Sequence, residues 1–337
     1  MEVCQLKGTP RQVGLAHGET YRKKIHALAE IRHYLAHTFL RKLSEWEVET
    51  LAYQQVEVLK SQPALFEEFC GIARGAHLSL TELAVLTNYT DMRDFSYDPI
   101  ELERKTEDRS DADGDGGCSL FSYKDEKSFI CGQTWDMHAS ATDHILHLDL
   151  EVEGQIPAQI LTVNGCVALS GVNAEGVCVF ITNLHCAETQ MGLMWPALVR
   201  VLLNQKSARL AVKAIQSNLP CSGHNYLIAD TNEAFNVETT GKQIEVTQAI
   251  ETGSSGKILH TNHYMGSFQN YEIKGRVNPT SKPRQTTLET YFTPLIQADF
   301  NTLRSDILGG KAVDGIDIPP SDTVSYTHLT LPTKRIV

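Results

Sequence analysis

Apolar residues recur at helical spacing from Val13 to Leu43, with Val13, Leu15, Ile25, Leu28, Ile31, Tyr34 and Leu35 on or near one stripe. Trp46 to Leu59 and Leu65 to Ala76 continue that period, and Ser79-Leu-Thr-Glu82 reads as a capping box opening a helix through Thr87. Residues 13 to about 110 are therefore predicted to be mainly helical, after a short strand at Val3 to Leu6. From Cys118 the period changes. Short alternating or wholly apolar runs follow: 118–123, 128–134, 145–152, 158–163, 167–172 and 177–182. Turn-forming clusters such as Glu153-Gly154, Asn164-Gly165 and Asn173-Ala-Glu-Gly176 separate them, predicting a meandering antiparallel sheet. Trp195 to Leu219 reads as helix. A second strand group follows at 226–229, 234–238, 243–246 and 258–260, then helices at 283–291 and 301–308. Sheet, helix pair, sheet, helix is the layout of a layered α+β domain with two stacked sheets.

Composition narrows the function classes. A chain of 337 residues, 42% hydrophobic and 21% charged, can bury a large core. A net charge of −11 speaks against nucleic acid as a partner, because that needs a basic face. No apolar run is long enough to span a bilayer, so no membrane is expected. The opening residues show no basic region followed by an apolar stretch, and a cytoplasmic location is the default. The eight cysteines are scattered and form no CxxC pair, which suggests reduced thiols, at most one of them with a chemical role. The run from Val324 to Thr333 resembles the translated end of a transposase-based sequencing adaptor. Residues 324–337 are expected to be foreign, and the genuine chain to stop near Thr323.

The stretch Asp111-Ala-Asp-Gly-Asp-Gly-Gly-Cys-Ser-Leu120 admits two readings. Asp111, Asp113, Asp115 and Gly116 match the opening of an EF-hand loop, but position 12 is Ser122, which lacks the bidentate carboxylate, and strand-like sequence follows. A non-catalytic calcium-binding α+β protein is the competing reading. Two histidine pairs, His144/His147 and His260/His263, share a three-residue spacing, but no cysteine or carboxylate completes a zinc set, and no metal is expected.

The other reading rests on Cys118. It follows Gly117 and opens a strand. A thiol near neutral pH needs a base. Cleavage before Cys118 would give that residue its own α-amino group, with a pKa of roughly 8, to take the thiol proton. Thiol and base would then sit on one residue. Taken singly, Cys118 also reads as a buried thiol, Asp136 as a turn cap, Asn262 as a turn residue and Trp135 as core.

Gly117-Cys118, then Gly132-Gln-Thr-Trp-Asp136, then His260-Thr-Asn-His263 resemble the acyl-coenzyme A:6-aminopenicillanic acid acyltransferase family, a self-processing branch of the N-terminal nucleophile hydrolases. Leu6–Tyr21, Gly171–Val179 and Gly223–Asp230 are also similar to it, so the likeness runs from about residue 5 to 323. The resemblance implies a four-layer αββα sandwich, autocleavage between Gly117 and Cys118, a helical segment 1–117 released as a separate chain, and a catalytic segment 118–323. It implies Cys118 as nucleophile, Asp136 holding the new amino group, and Asn262 donating to the oxyanion, with Asn183 as a second asparagine there. Thr134, Trp135 and Arg284 are implied at the substrate. The family's C-terminal Ser-Arg pair has no counterpart, which leaves Arg284 in "SKPRQTTLE" as the arginine in a family-like context. The expected activity is hydrolysis or transfer of an acyl group at a linear amide or thioester. The partners are a small-molecule substrate and the chain's own N-terminal fragment, and no cofactor is needed.

Overall fold

The computed structural model describes residues 2–39, 43–95, 117–126, 128–273, 276–292 and 323–330. Helices fill the first part: α1 Pro10–Thr20, α2 Arg22–Phe39, α3 Glu45–Leu59, α4 Pro63–Ala76 and α5 Leu80–Phe95. Their starts are written in the sequence. Thr9 with Gln12, and Ser44 with Glu47, form reciprocal capping boxes for α1 and α3. The Ser79–Glu82 box opens α5 as expected, with the Ser79 N–H donating to Glu82 Oε2 at 2.7 Å. Two differences stand out. The long helical stretch from Val13 breaks at Tyr21 into α1 and α2. The helix expected to stop at Thr87 runs on to Phe95 through a kink at Asn88. Burial decides that length, because every residue from Leu83 to Asp94 is buried and tertiary packing sustains the helix.

Among the described residues twelve strands follow or flank the helices: β1 Glu2–Gly8, β2 Cys118–Lys124, β3 Phe129–His138, β4 Ile145–Val152, β5 Ala158–Val163, β6 Ser170–Asn173, β7 Cys178–Asn183, β8 His224–Ala229, β9 Ala234–Thr239, β10 Ile244–Ile250, β11 Gly256–His260 and β12 Thr323–Thr330. Between β7 and β8 lie α6 Trp195–Leu203 and α7 Ala208–Ser217, the helix pair that the sequence layout suggested. After β11 comes α8 Ser281–Tyr291. The helix expected at 301–308 and the acidic loop 111–116 lie outside the described residues.

The strands do not divide by sequence group. One sheet has the order β1-β4-β5-β6-β7-β8-β9-β10, and the other β11-β2-β3-β12. Thus β2 and β3 leave the first group and join β11, and β1 lies parallel to β4 in an otherwise antiparallel sheet. Turn chemistry fixes local hairpins, whereas partner choice depends on long-range burial. β12 lies antiparallel along the second edge of β3, with Thr323 opposite His138 and Thr330 opposite Cys131.

Four layers result. The residues of β7 alternate, so Val179 and Ile181 face the helical layer while Cys178 and Phe180 face the other sheet. Leu120, Cys131, Leu227 and Ile258 complete that inter-sheet core. On the outer face of the small sheet, Phe292 at the end of α8 packs at a tilt against Phe121 and Tyr123, with ring centroids 5.4 and 6.0 Å away. The architecture is the expected αββα sandwich.

The N-terminal helices are part of this body. Arg200 of α6 makes a buried bidentate pair with Glu68 of α4, at 2.8 and 3.0 Å, and also binds Gln155. His17 accepts the Gly165 N–H at 3.0 Å. α1 and α4 cross at main-chain contact. A Cβ on Gly14 or Gly18 would fall against the carbonyls of Glu68 and Ile72, and one on Gly71 or Gly75 against those of Arg11 and Leu15.

Candidate active site

β2 begins at Cys118, beside β3, with Cys118 opposite Trp135 and Ser119 opposite Thr134. That register brings the Gly117–Cys118 peptide to the Asp136 end of β3, where the Asp136 N–H donates to the Gly117 carbonyl at 3.1 Å. The Ser119 N–H donates to Thr134 Oγ1 at 3.1 Å, so Thr134 fixes the start of β2.

Asn262 lies in the loop that follows β11. Its Oδ1 accepts the Cys118 N–H at 2.8 Å, and its Nδ2 donates to the Asn183 carbonyl, at the end of β7, at 3.1 Å. Arg284 projects from α8. Its Nη2 donates to Asn262 Oδ1 at 2.9 Å, and its Nη1 to the Cys118 carbonyl at 2.5 Å and Ser119 Oγ at 3.0 Å. Nε is held by Thr280 Oγ1. The guanidinium lies so close to Gly117 that a Cβ there would come within 2.6 Å of Nη2, so a larger residue at 117 would displace the Arg284 side chain.

The structure thus brings together Gly117, Cys118, Thr134, Trp135, Asp136, Asn183, Asn262 and Arg284. Arg284 is more deeply involved than the sequence suggested. It is buried, and it binds the backbone of the cysteine itself. Asn183, which the resemblance placed as a second asparagine near the oxyanion, contributes its carbonyl.

Cys118 is buried, and burial pushes its thiol up to about 12, with the Asp136 carboxylate acting in the same direction. The Arg284 charge opposes this, as do hydrogen bonds from the Asp136 backbone and the Gln133 side chain. The thiol is therefore neutral at physiological pH until a base reaches it.

Three residues that the sequence reading did not single out hold the site. Ser281 Oγ accepts the Asn262 N–H at 2.8 Å and meets His263 Nδ1 at the same distance. Glu238 ties down both ends of the Asn262 loop: Oε1 lies 2.9 Å from His260 Nε2 and accepts the Met265 N–H, and Oε2 accepts the Gly266 N–H. His260 Nδ1 lies 2.7 Å from the Thr261 carbonyl, which can only accept, so Nδ1 carries a hydrogen. Gln133 binds the Ile181 peptide from the opposite sheet. A signal existed for each. Ser281 shares the "SKPR" run with Arg284, Gln133 stands inside Gly132–Asp136, and Glu238 is an acid within a buried strand. His260 and His263 stack at 6.4 Å and spend ring nitrogens on these protein partners. Among the described residues, no group of three or more His, Cys, Asp or Glu side chains is placed to hold a metal, and no helix is long and apolar enough to cross a membrane.

Comparison with known proteins adds to this geometry. The chain is 26% identical over 263 residues to the acyl-coenzyme A:6-aminopenicillanic-acid-acyltransferase 40 kDa form of Emericella nidulans, which covers 77% of this chain and 68% of that one. Among solved structures, penicillin V acylase from Agrobacterium tumefaciens matches with a TM-score of 0.31 at 13% identity, over 52% of this chain and 57% of that one. The family described as acyl-coenzyme A:6-aminopenicillanic acid acyl-transferase matches residues 123–312, more than half of the chain. That span includes Asp136, Asn183, Asn262 and Arg284 and begins just after Cys118. The chain belongs to this family.

Proposed function

We propose that the protein is a self-processing cysteine enzyme that hydrolyses or transfers an acyl group at a linear amide or thioester, with Cys118 as its nucleophile. The observation that carries this reading is the setting of the Gly117–Cys118 peptide. Its carbonyl faces the Asp136 N–H at 3.1 Å, and its nitrogen faces Asn262 Oδ1 at 2.8 Å.

Processing follows from those contacts. Cys118 Sγ attacks the Gly117 carbonyl carbon and gives up its proton. The oxyanion that forms is opposite the Asp136 N–H, a donor aimed where charge develops. The C–N bond then breaks, the Cys118 nitrogen takes a proton and leaves as an amine, and Gly117 remains as a thioester until water releases it. A free α-amino group at Cys118 inherits Asn262 Oδ1 as an acceptor. With an ordinary pKa of roughly 8, this amine can remove the proton of the adjacent thiol.

Turnover repeats the chemistry on a substrate. The thiolate attacks an acyl carbonyl and expels an amine or thiol. The acyl-enzyme passes its acyl group to water or to an incoming amine. Arg284 balances the charge of the thiolate and of Asp136 and fixes Asn262. The likeness to an acyl-coenzyme A-dependent acyltransferase favours N-acyl amines and acyl thioesters as first substrates to try.

The test is the intact mass of the purified protein under denaturing conditions, beside Cys118→Ala. Two fragments meeting at Gly117/Cys118 in the wild type and one chain in the variant are expected. A single chain in both would overturn the self-processing reading.

A further inference from the structure

The edge of β7 poses a problem that one side chain solves. β6 pairs with β7 only through Gly171–Val179 and Val172–Cys178. Beyond that point β7 continues to Asn183, and among the described residues no strand lies beside the Ile181 peptide on that edge. A buried peptide group left unpaired is costly. The Gln133 side chain fills the place. Its Nε2 donates to the Ile181 carbonyl at 2.6 Å, and its Oε1 accepts the Ile181 N–H at 3.1 Å. A primary amide is the side chain that offers a donor and an acceptor in peptide-like geometry, so it acts as a one-residue strand.

We propose that Gln133 is a positioning residue for the Cys118 thiol: its amide, clamped flat on the Ile181 peptide of the large sheet, turns its second N–H to Sγ. Three observations support this. Gln133 and Cys118 are both buried, and Gln133 shares the inner face of β3 with Trp135, the residue opposite Cys118. The amide nitrogen carries two hydrogens, and Ile181 uses one. A side-chain hydrogen bond from Gln133 is among the influences that draw the thiol back down against burial. The same clamp fixes β7 two residues before Asn183, whose carbonyl holds Asn262. Gln133 therefore sets the distance between the two halves of the site.

This inference rests on Cys118 as the nucleophile, but its test does not require turnover. The pH dependence of Cys118 alkylation by iodoacetamide, followed by peptide mass spectrometry, is compared for wild type, Gln133→Leu and Gln133→Glu. Loss of the N–H to sulfur should raise the inflection by about one pH unit in the Leu variant, slowing alkylation about tenfold at fixed pH below it. The Glu variant keeps the size but places an acceptor, and charge, against sulfur, so its inflection should rise further. A role confined to packing would lower thermal stability in both variants and leave the inflection where it was; that result, or identical profiles, would overturn the proposal. Hydrogen exchange at the Ile181 amide of the wild type serves if neither variant folds: protection supports the clamp, and rapid exchange refutes it. A chain that never cuts itself yet shows the shifted inflections would refute the proposed processing and leave the Gln133 assignment standing. A chain that cuts itself with unshifted inflections would do the reverse.

Discussion

The two ends of the inter-sheet layer are built differently. At one end Leu120, Cys131, Phe180, Leu227, Ala229 and Ile258 meet without a polar group among their side chains beyond the thiol. At the other, three consecutive residues of β7 are hydrogen-bonded across the layer: Ile181 to Gln133 of the opposite sheet, and Thr182 and Asn183 to the loop after β11, through the Thr261 carbonyl at 2.8 Å and the Asn262 amide. Apolar contact is non-directional, so the first end supplies cohesion and tolerates small displacements. Hydrogen bonds fix distance and angle, and buried ones are costly when broken, so the second end supplies position. The cysteine sits at the second end.

Substitutions can separate the two roles. The largest effect should come from Glu238→Ala, which strands the Met265 and Gly266 N–H groups and the His260 ring in a buried place. A loss of about 3–5 kcal/mol in unfolding free energy is expected, read by urea denaturation. Asn262→Leu should slow the formation of the two fragments about 10²–10³-fold, in a time course by mass, through loss of its contacts to Cys118 and Arg284. Phe180→Leu, at the apolar end, should cost less than about 1.5 kcal/mol and leave the cleavage rate unchanged. If it slows cleavage as much as Asn262→Leu does, the division between the two ends is wrong.

The smallest effect is the polar end's share of the pH dependence, to which buried His17 of α1, also depressed to about 4, adds separately. Burial depresses His263 to about 4, helped by His260 and by Lys282 and Arg284 nearby. Its folded value lies below the ordinary 6.5, so the native state favours the neutral ring. That contribution is complete above about pH 6.5 and is lost as pH falls through about 4. Glu272, raised by burial, works in the opposite direction, favouring the folded state at lower pH. His263→Gln should flatten the acid limb of the stability curve, measured from pH 7 to 4.

How much of this was legible in the sequence follows the same division. Period-2 runs and Asn-Gly or Glu-Gly turns report on neighbouring residues, and they located β2 to β9 closely. Nothing local distinguishes β2 and β3 from β4 and β5, so the partition into two sheets was not readable. At the site, Cys118, Asp136 and Asn262 stood out through their resemblance to a family. Gln133 and Glu238 did not, because their significance lies in partners far along the chain: 48 residues for Gln133 and Ile181, 22 for Glu238 and His260. Arg284, 166 residues from Cys118, was recognisable only as an arginine in suggestive company.

The crossing of α1 and α4 has a consequence for genetics. Four glycines, Gly14, Gly18, Gly71 and Gly75, allow two backbones to touch, and a single added methyl group on any of them strikes main chain rather than a yielding side chain. Such a contact has no spare room and no chemistry of its own. An alanine there would loosen the helical half while every group around the cysteine keeps its identity, which makes these four codons the natural place to write a temperature-sensitive allele.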